Sequence, residues 1–268
     1  FRERILNFNQ WSHRNFAGDL INWGGNVNGN ASLDNLWSFG GGVGVNGRAV
    51  DDRMTRGGPS GLVEPSGSSW QWFNTNDRKP VSFHWNSGFF GRADGSGGFD
   101  LNPGIQFRPG SAVSAEVGVA YSVNNDDAQW VTAHQGTDRT HYVFGALRQR
   151  TSSMTLRLNY TLTPTLSIQL YGQPFVSAGR YEQYKELIDG RAPYATRFAP
   201  IAYPGSGDFK VLSFRTTNVL RWEFTPGSAL FVVWQQGREG FRQDGLFRFS
   251  RDYGDVFATP STNTLLVK

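Results

Sequence analysis

Apolar residues recur at every second position along most of this chain. Between Val113 and Asn124 the odd positions are apolar, and the even positions are small or polar. The same alternation runs through 154–162, 166–170 and 99–107. Successive side chains of a β-strand point to opposite faces of the sheet, so this period predicts strands with one apolar and one polar face. No segment shows a helical period of comparable length, and only 179–188 is predicted to form a helical turn.

The alternating segments and the turn signals between them predict fourteen antiparallel strands. The predicted strands are 3–11, 18–31, 36–46, 68–75, 81–92, 98–107, 113–124, 129–135, 141–148, 154–162, 166–175, 209–224, 229–237 and 263–268.

The connections between these strands are of two kinds. Three are tight turns built around Pro109, Pro164 and Pro226, where the fixed φ of proline suits a β-turn. Three others are long and polar, and they cover 47–67, 176–208 and 238–262. In an antiparallel count of fourteen strands, all the proline turns fall at one end of the sheet and all the long loops at the other. This asymmetry predicts a transmembrane β-barrel with periplasmic turns at the proline residues and long external loops.

The polar positions of the strands carry mainly Ser, Thr, Asn, Gln and Gly, which favours a wet barrel interior over the Lys-rich and Glu-rich surface of a soluble sandwich. Residues predicted to face the lumen are His84, Asp100, Glu116, Arg157, Gln169, Arg215, Arg221 and Glu223. Residues predicted to face lipid are Phe83, Trp85, Val117, Val119, Leu156, Leu158, Ile168, Leu170, Leu220 and Trp222. A lumen of mixed charge forms either a water-filled pore or a salt-bridged plug, and the sequence leaves both open.

The composition excludes several other classes of protein. Aromatic residues make up 15% of the chain and charged residues 18%, which does not fit a disordered protein. The absence of cysteine excludes a disulfide scaffold and agrees with passage through an oxidising periplasm. A net charge of +4 is a mild excess, and we expect no nucleic-acid partner. The mean hydropathy of −0.44 is explained if a lipid-facing set of residues is averaged with a polar set.

Three segments of the second half resemble a known family. They are the run from Leu158 to Tyr181, which continues to Tyr184-Lys-Glu-Leu187, the run Val219-Leu-Arg-Trp-Glu-Phe-Thr-Pro-Gly-Ser-Ala-Leu-Phe-Val-Val-Trp234, and Asn263-Thr-Leu-Leu-Val-Lys268. Together they resemble, over residues 140–268, the uncharacterised β-barrel domain that follows a family-9-like carbohydrate-binding module in Gram-negative proteins. The resemblance implies that residues 1–268 are a single barrel domain cut from a longer chain, with the carbohydrate-binding module lying N-terminal to it. It implies no catalytic residues.

These observations predict a barrel in the outer membrane of a Gram-negative bacterium, acting as the anchor or pore of a larger protein in glycan capture or uptake. Its expected partners are outer-membrane lipid, lipopolysaccharide and a glycan, and its protein partners are unknown. Arginines that could meet lipopolysaccharide phosphates in the external segments are Arg48, Arg53, Arg56, Arg92, Arg148, Arg150, Arg180, Arg191, Arg197, Arg238, Arg242 and Arg251. A solvated loop surface explains the same arginines equally well.

Two other functions stay open at this point. One is a soluble β-rich module that binds glycans. The other is a barrel hydrolase in which His134 or His141 works with a carboxylate of Asp126, Asp127 or Asp138. The strand count argues against the hydrolase, because it places Asp126 and Asp127 on a hairpin tip (124–127) at the end of the sheet opposite Asp138. We therefore predict no catalytic residues, no metal and no cofactor in this domain.

Overall fold

The computed structural model describes residues 1–268, and nearly all of its regular structure is β-strand. Its strands are β1 (Glu3–Arg14), β2 (Leu20–Ser32), β3 (Ser38–Asn46), β4 (Ala49–Asp51), β5 (Gly61–Val63), β6 (Ser66–Asn74), β7 (Val81–Arg92), β8 (Gly97–Phe107), β9 (Val113–Gln135), β10 (Thr140–Thr163), β11 (Leu166–Leu187), β12 (Phe198–Pro200), β13 (Phe209–Thr225), β14 (Ser228–Arg242) and β15 (Ser261–Val267). Its helices are α1 (Tyr194–Arg197) and α2 (Phe249–Ala258). Neither helix has the length and the apolar run that a membrane-spanning helix needs.

The strands form one antiparallel sheet of thirteen strands and a separate hairpin of β4 and β5. Each long strand pairs with the next long strand in the chain, and the short β12 pairs only with β11. The order begins at β1 and ends at β15, and these two strands do not pair with each other. The predicted all-β antiparallel architecture is confirmed, whereas a hydrogen-bonded closure of the sheet is not seen.

The predicted strand count was wrong in the middle of the chain. The segments 113–124 and 129–135 belong to one strand, β9, and 141–148 and 154–162 belong to β10. The polar run 124–127 therefore lies within β9 and is not a hairpin tip. The carboxylates of Asp126 and Asp127 accept hydrogen bonds there from Arg92 and Lys185. Two mergers leave the parity of the count unchanged, so the connections at Pro109, Pro164 and Pro226 still lie at one end of the sheet.

The helical turn predicted over 179–188 was also wrong. This segment is the second half of β11, which pairs with β10 as far as Glu186 and carries a positive φ of 50° at Gln183. The helices form instead in the 188–208 and 243–260 connections, at the end of the sheet opposite the proline turns. We call this the long-loop end, and the opposite end the short-turn end.

Cross-strand partners share a face of a sheet, so the register sorts the side chains into two sets. Phe83, Ile105, Val117 and Leu156 are successive partners across four strands and define the apolar face. Glu116 and Arg157 are partners on the opposite, polar face. Every residue predicted to face lipid lies on the apolar face, and every residue predicted to face the lumen lies on the polar face.

The sheet has very little core. Only 31 of 268 residues are buried, and the total accessible surface is 15674 Å². A compact soluble chain of this mass would expose about 11,600 Å² by the usual size scaling. The only cluster of buried hydrophobic residues has four members and lies between α2 and the apolar face, where Tyr253 and Val256 pack on Val176 and Leu212. Beside it, toward the long-loop end, the buried Lys210 ammonium contacts Asp252 of α2 at 2.8 Å.

Leu212→Ala should destabilise the fold by about 2–5 kcal/mol, because it opens a cavity under α2 that the rigid sheet cannot fill. The measurement is the midpoint of unfolding by denaturant. Val211→Ala is the matched control, since Val211 immediately precedes Leu212 in β13 and is 37% exposed on the other face. A loss of less than about 0.5 kcal/mol is expected for the control. Equal losses in the two variants would show that α2 is not held by this contact.

Candidate functional site

The long-loop end of the polar face is covered by the β4–β5 hairpin and by residues 188–200. The backbone N–H of Leu62 in the hairpin donates to the carbonyl of Gly190 at 2.9 Å. On the opposite side, the Asn15 amide donates to Asp52 at 3.1 Å. The hairpin thus joins the β1–β2 connection to the β11–β12 connection, although these strands are far apart in the sheet order. The sheet therefore curves toward its polar face, and we call the covered end the mouth.

A buried ion pair holds the two covering segments together. The guanidinium of Arg197, which is 1% exposed, donates to Glu64 at 2.6 Å and to the Leu62 carbonyl at 2.6 Å. Arg48 donates to the other oxygen of the Glu64 carboxylate at 2.6 Å. Burial acts to raise the pKa of Glu64, but the hydrogen bonds from Arg48 and Arg197 outweigh burial and lower it. Glu64 is therefore an ionised carboxylate between two guanidinium groups.

A second buried network ties β9 to β11 and α1. The Lys185 ammonium lies 2.7 Å from the Asp127 carboxylate, and the Tyr194 hydroxyl donates to the same oxygen. Burial acts to raise the pKa of Asp127, whereas the hydrogen bonds from Lys185 and Tyr194 lower it. Burial and the neighbouring carboxylate of Asp127 strongly raise the pKa of the Tyr194 phenol. The phenol therefore stays protonated and acts as a hydrogen-bond donor.

A small cavity of about 230 Å³ lies between the hairpin and the sheet. Arg92, which donates to Asp94 at 2.6 Å and to Asp126 at 3.0 Å, forms part of its wall. Arg56 stacks on the ring of Trp130 at 4.1 Å, and the indole N–H of Trp130 is buried without a hydrogen-bond partner. Trp130 lines the cavity, so an unpaired donor lies close to it, and the lining charges of Arg92, Asp94, Asp126 and Arg197 are already engaged in ion pairs.

The two histidines considered for catalysis are stacked, with ring centroids 5.1 Å apart. The nitrogens of His141 contact Glu186 at 2.9 Å and Asp138 at 3.3 Å. The hydrogen bond to Glu186 raises the pKa of His141 and outweighs burial, which acts to lower it. Both nitrogens are thus occupied by carboxylates, as expected of an ion pair rather than of a general base facing a substrate.

Asp126 and Asp127 lie at the same end of the sheet as Asp138, so the expectation that they lie at opposite ends was wrong. This arrangement does not bring them into one site. Asp126 is bound by Arg92, and Asp127 by Lys185. The structure contains no cluster of three His, Asp or Glu side chains that could hold a metal ion.

The other half of the polar face is an asparagine and tryptophan wall. Asn7 donates to Asn28 at 3.1 Å, and Asn9 to Asn26 at 2.9 Å, across β1 and β2. The indole rings of Trp70 and Trp72 extend across β3 and cover Gly42 and Gly40, where any side chain would collide with the ring. The space above Gly42 is shared by the Trp70 ring and the side chain of Asn28, so the ring and the asparagines are neighbours on this face. Amide groups beside flat rings suit a ligand with both hydroxyl groups and apolar patches.

The residues predicted to face the lumen form separate contacts along the polar face. Arg157 lies 3.6 Å from Glu116, Arg221 lies 2.7 Å from Glu223, and Arg215 pairs with Glu239 at 2.9 Å. Gln169 pairs with Asn159, and His84 and Asp100 lie on β7 and β8. The structure does not bring these residues together into one centre.

The sequence patterns did not predict the charged and phenolic side chains that hold the mouth closed. Glu64, Lys185 and Tyr194 lie in segments read as polar loop or helical turn. No local pattern identifies their partners, which are between 9 and 133 positions away along the chain. The one usable signal was the abundance of arginine in the long connections.

Comparison with protein families gives one match across nearly the whole chain. The sequence model of the family described as "Domain of unknown function (DUF5916)" matches residues 3–268. The similarity therefore extends through the first half of the chain and is not confined to residues 140–268. A comparison with curated proteins finds none that matches the chain.

Glu64→Gln should loosen the mouth while leaving the sheet intact, because it leaves the buried Arg197 without a counter-charge. The expected cost is about 3–5 kcal/mol of local stability. Hydrogen exchange should then speed up in 49–63 and 188–200, and stay slow in β9 to β11. Arg191→Gln is the matched control, since its 3.4 Å contact with Asp19 is solvent-exposed and worth about 1 kcal/mol or less. Slow exchange of the hairpin in Glu64→Gln would contradict the assignment.

Proposed function

Since the chain belongs to the DUF5916 family, whose description assigns no activity, we propose a function from its geometry. The sheet is the membrane-embedded wall of an outer-membrane β-barrel that anchors a larger protein. The observation that carries this proposal is the continuous apolar face of a sheet that has almost no core.

The middle of the apolar face is exposed although it carries large hydrophobic residues. Val117 is 49% exposed and its partner Leu156 is 45% exposed, and Ile105 and Leu170 are also exposed. Leaving apolar surface in water instead of burying it costs about 25 cal/mol of free energy per Å². Soluble monomers therefore rarely expose contiguous apolar patches of this extent. Lipid would cover this face at no such cost.

Aromatic residues flank the apolar face at the long-loop end. A chain of ring contacts with centroid distances of 4.8–6.5 Å runs along this boundary. Its members are Phe89, Phe99, Tyr121, Phe247, Phe249 and Tyr253. We call this chain the upper aromatic belt, and it matches the position of an interfacial girdle.

A second set of aromatic contacts lies at the short-turn end. Trp37 packs on Phe73 at 5.4 Å, and Trp222 packs on Phe224 at 5.9 Å. Phe107 of β8 is exposed at this end and lies eight positions after Phe99 of the upper belt. Eight residues span about 27 Å along a strand, or about 21 Å across the bilayer for a tilt of about 40°. This height is close to the apolar band of about 25 Å found on membrane barrels.

Backbone pairing is consistent with a strand wall in lipid. Every long strand between β2 and β14 is hydrogen-bonded on both sides. In lipid the outer edges of β1 and β15 must also be paired, because an unpaired peptide group there costs several kcal/mol. A working barrel therefore requires these edges to pair with each other or with further strands.

Binding of a glycan is a second candidate function, and the asparagine and tryptophan wall favours it. This wall lies on the polar face, so a barrel could bind a glycan from inside while its apolar face contacts lipid. A soluble glycan-binding module would use the same wall but would leave the apolar face in water. A hydrolase is less well supported, because both nitrogens of His141 are held by carboxylates.

The substitution Val117→Arg tests whether the apolar face contacts lipid or water. In a bilayer the arginine should cost about 2–4 kcal/mol and reduce insertion into vesicles, as measured by flotation and heat-modifiable gel migration. Ser114→Arg on the polar face of β9 is the matched control and should insert normally. In a soluble protein both changes would fall within about 0.5 kcal/mol. Normal insertion of Val117→Arg would therefore count against the proposal.

Conductance in a planar bilayer distinguishes an anchor from an open pore. Because the hairpin and residues 188–200 cover the mouth, the wild-type protein should conduct little. Replacing 49–63 by a short Gly-Ser linker removes this cover and should give clear single-channel openings. Large, steady conductance of the wild type would instead indicate a pore.

A further inference from the structure

Three exposed arginines lie side by side just beyond the upper aromatic belt, and we call them the arginine cluster. Arg148 of β10 lies directly opposite Arg180 of β11 in the register. Arg150 is two residues from Arg148 on the same strand and therefore on the same face. All three side chains are exposed and belong to the apolar face, because Arg150 pairs with Val123 and Ala178. Opposed β-carbons in such a pair are about 5 Å apart.

The positive charge of the cluster is poorly compensated. Arg148 and Arg150 make no ion pair, and Arg180 has a single 3.4 Å contact with the half-exposed Glu182. Arg148 lowers the pKa of Asp127 through space, but that carboxylate is already bound by Lys185 and Tyr194. Like charges directly opposite each other destabilise a pair of strands. The cluster thus costs stability that a bound anion would restore.

The position of the cluster indicates which anion is suitable. Val123, the partner of Arg150, is two residues beyond Tyr121 of the upper aromatic belt, or about 7 Å along the strand. The cluster therefore lies where lipid headgroups would lie if the apolar face is in a membrane. The chain at Gly245 packs against the backbone of Arg180, so the segment leading into α2 forms one side of the site.

We propose that the arginine cluster binds the phosphate groups of lipopolysaccharide, whose acyl chains then lie along the apolar face below. This inference rests on the proposed function. Guanidinium groups form paired hydrogen bonds with phosphate oxygens, and three of them on one face suit a ligand with more than one phosphate. Free phosphate offers the same oxygens but no acyl chains, and therefore lacks the contact with the apolar face.

The test compares two triple variants of equal charge. The first is Arg148→Gln, Arg150→Gln and Arg180→Gln together. The matched control is Arg4→Gln, Arg78→Gln and Arg108→Gln, three exposed arginines at the short-turn end. Fluorescent lipopolysaccharide is titrated into each protein folded in non-ionic detergent. The cluster variant should bind at least tenfold more weakly than the wild type, and the control should stay within about twofold.

A second measurement uses stability and does not depend on affinity. Without lipopolysaccharide, Arg180→Gln should unfold at a higher denaturant concentration than the wild type, because it removes the repulsion from Arg148. Adding lipopolysaccharide should stabilise the wild type and have a smaller effect on Arg180→Gln. An unchanged midpoint and an equal effect of lipopolysaccharide on both proteins would contradict the site.

The outcomes separate this inference from the proposed function. If the wild type inserts into vesicles but both triple variants bind lipopolysaccharide equally, the arginine cluster is not the site and the membrane assignment stands. If the wild type does not insert, the proposed function is wrong. If millimolar inorganic phosphate displaces the labelled lipopolysaccharide, the site recognises free phosphate and the lipid assignment is overturned.

Discussion

Antiparallel hydrogen bonding between neighbouring strands is the interaction on which the rest of the structure depends. Of 177 backbone hydrogen bonds, 150 lie within the strands and helices. The hydrophobic cluster of four buried residues is too small to offset the entropy of ordering a chain of this length. The hydrogen bonds between strands therefore have to pair the backbone N–H and C=O groups along the whole sheet. They do not involve the side chains, so the two faces of the sheet can contact different surroundings. A membrane would supply on the apolar face the apolar contact that a soluble protein obtains from its core.

Charge is buried only where the chain provides a partner. Glu64 and Arg197 are buried together at the mouth, and Lys210 is buried with Asp252 under α2. Removing a single member of such a pair is costly, because it leaves an uncompensated charge in a region of low dielectric. The arginine cluster is different, since its members are exposed and only Arg180 has a carboxylate partner, at 3.4 Å. Buried pairs fix the loops onto the sheet, whereas the proposed role of the exposed and poorly compensated charge is to bind a ligand.

Much of the fold follows from local pattern. The period of two divides the predicted lipid-facing and lumen-facing residues into two sets, and the register places the two sets on opposite faces of the sheet. The three proline turns lie at one end of the sheet, as the strand count predicts. The errors occurred at 124–127, 149–153 and 179–188, where polar or helix-favouring residues continue a strand. Asn and Asp favour turns when only local interactions count. Here Arg92, Lys185 and Gln149 supply hydrogen bonds from distant parts of the chain that make an extended backbone favourable.

The sequence by itself determined the class of structure, the two faces and the positions of the tight turns, because each depends on residues only one to five positions apart. The tertiary structure decided the length of β9 and β10, the closure of the mouth by Glu64 and Arg197, and the placement of α2 on the apolar face. It also decided that Arg148 faces Arg180, since that pairing depends on the register between two strands. Register and long-range ion pairs are set by the sum of contacts across the whole sheet, and no local window of sequence contains that sum.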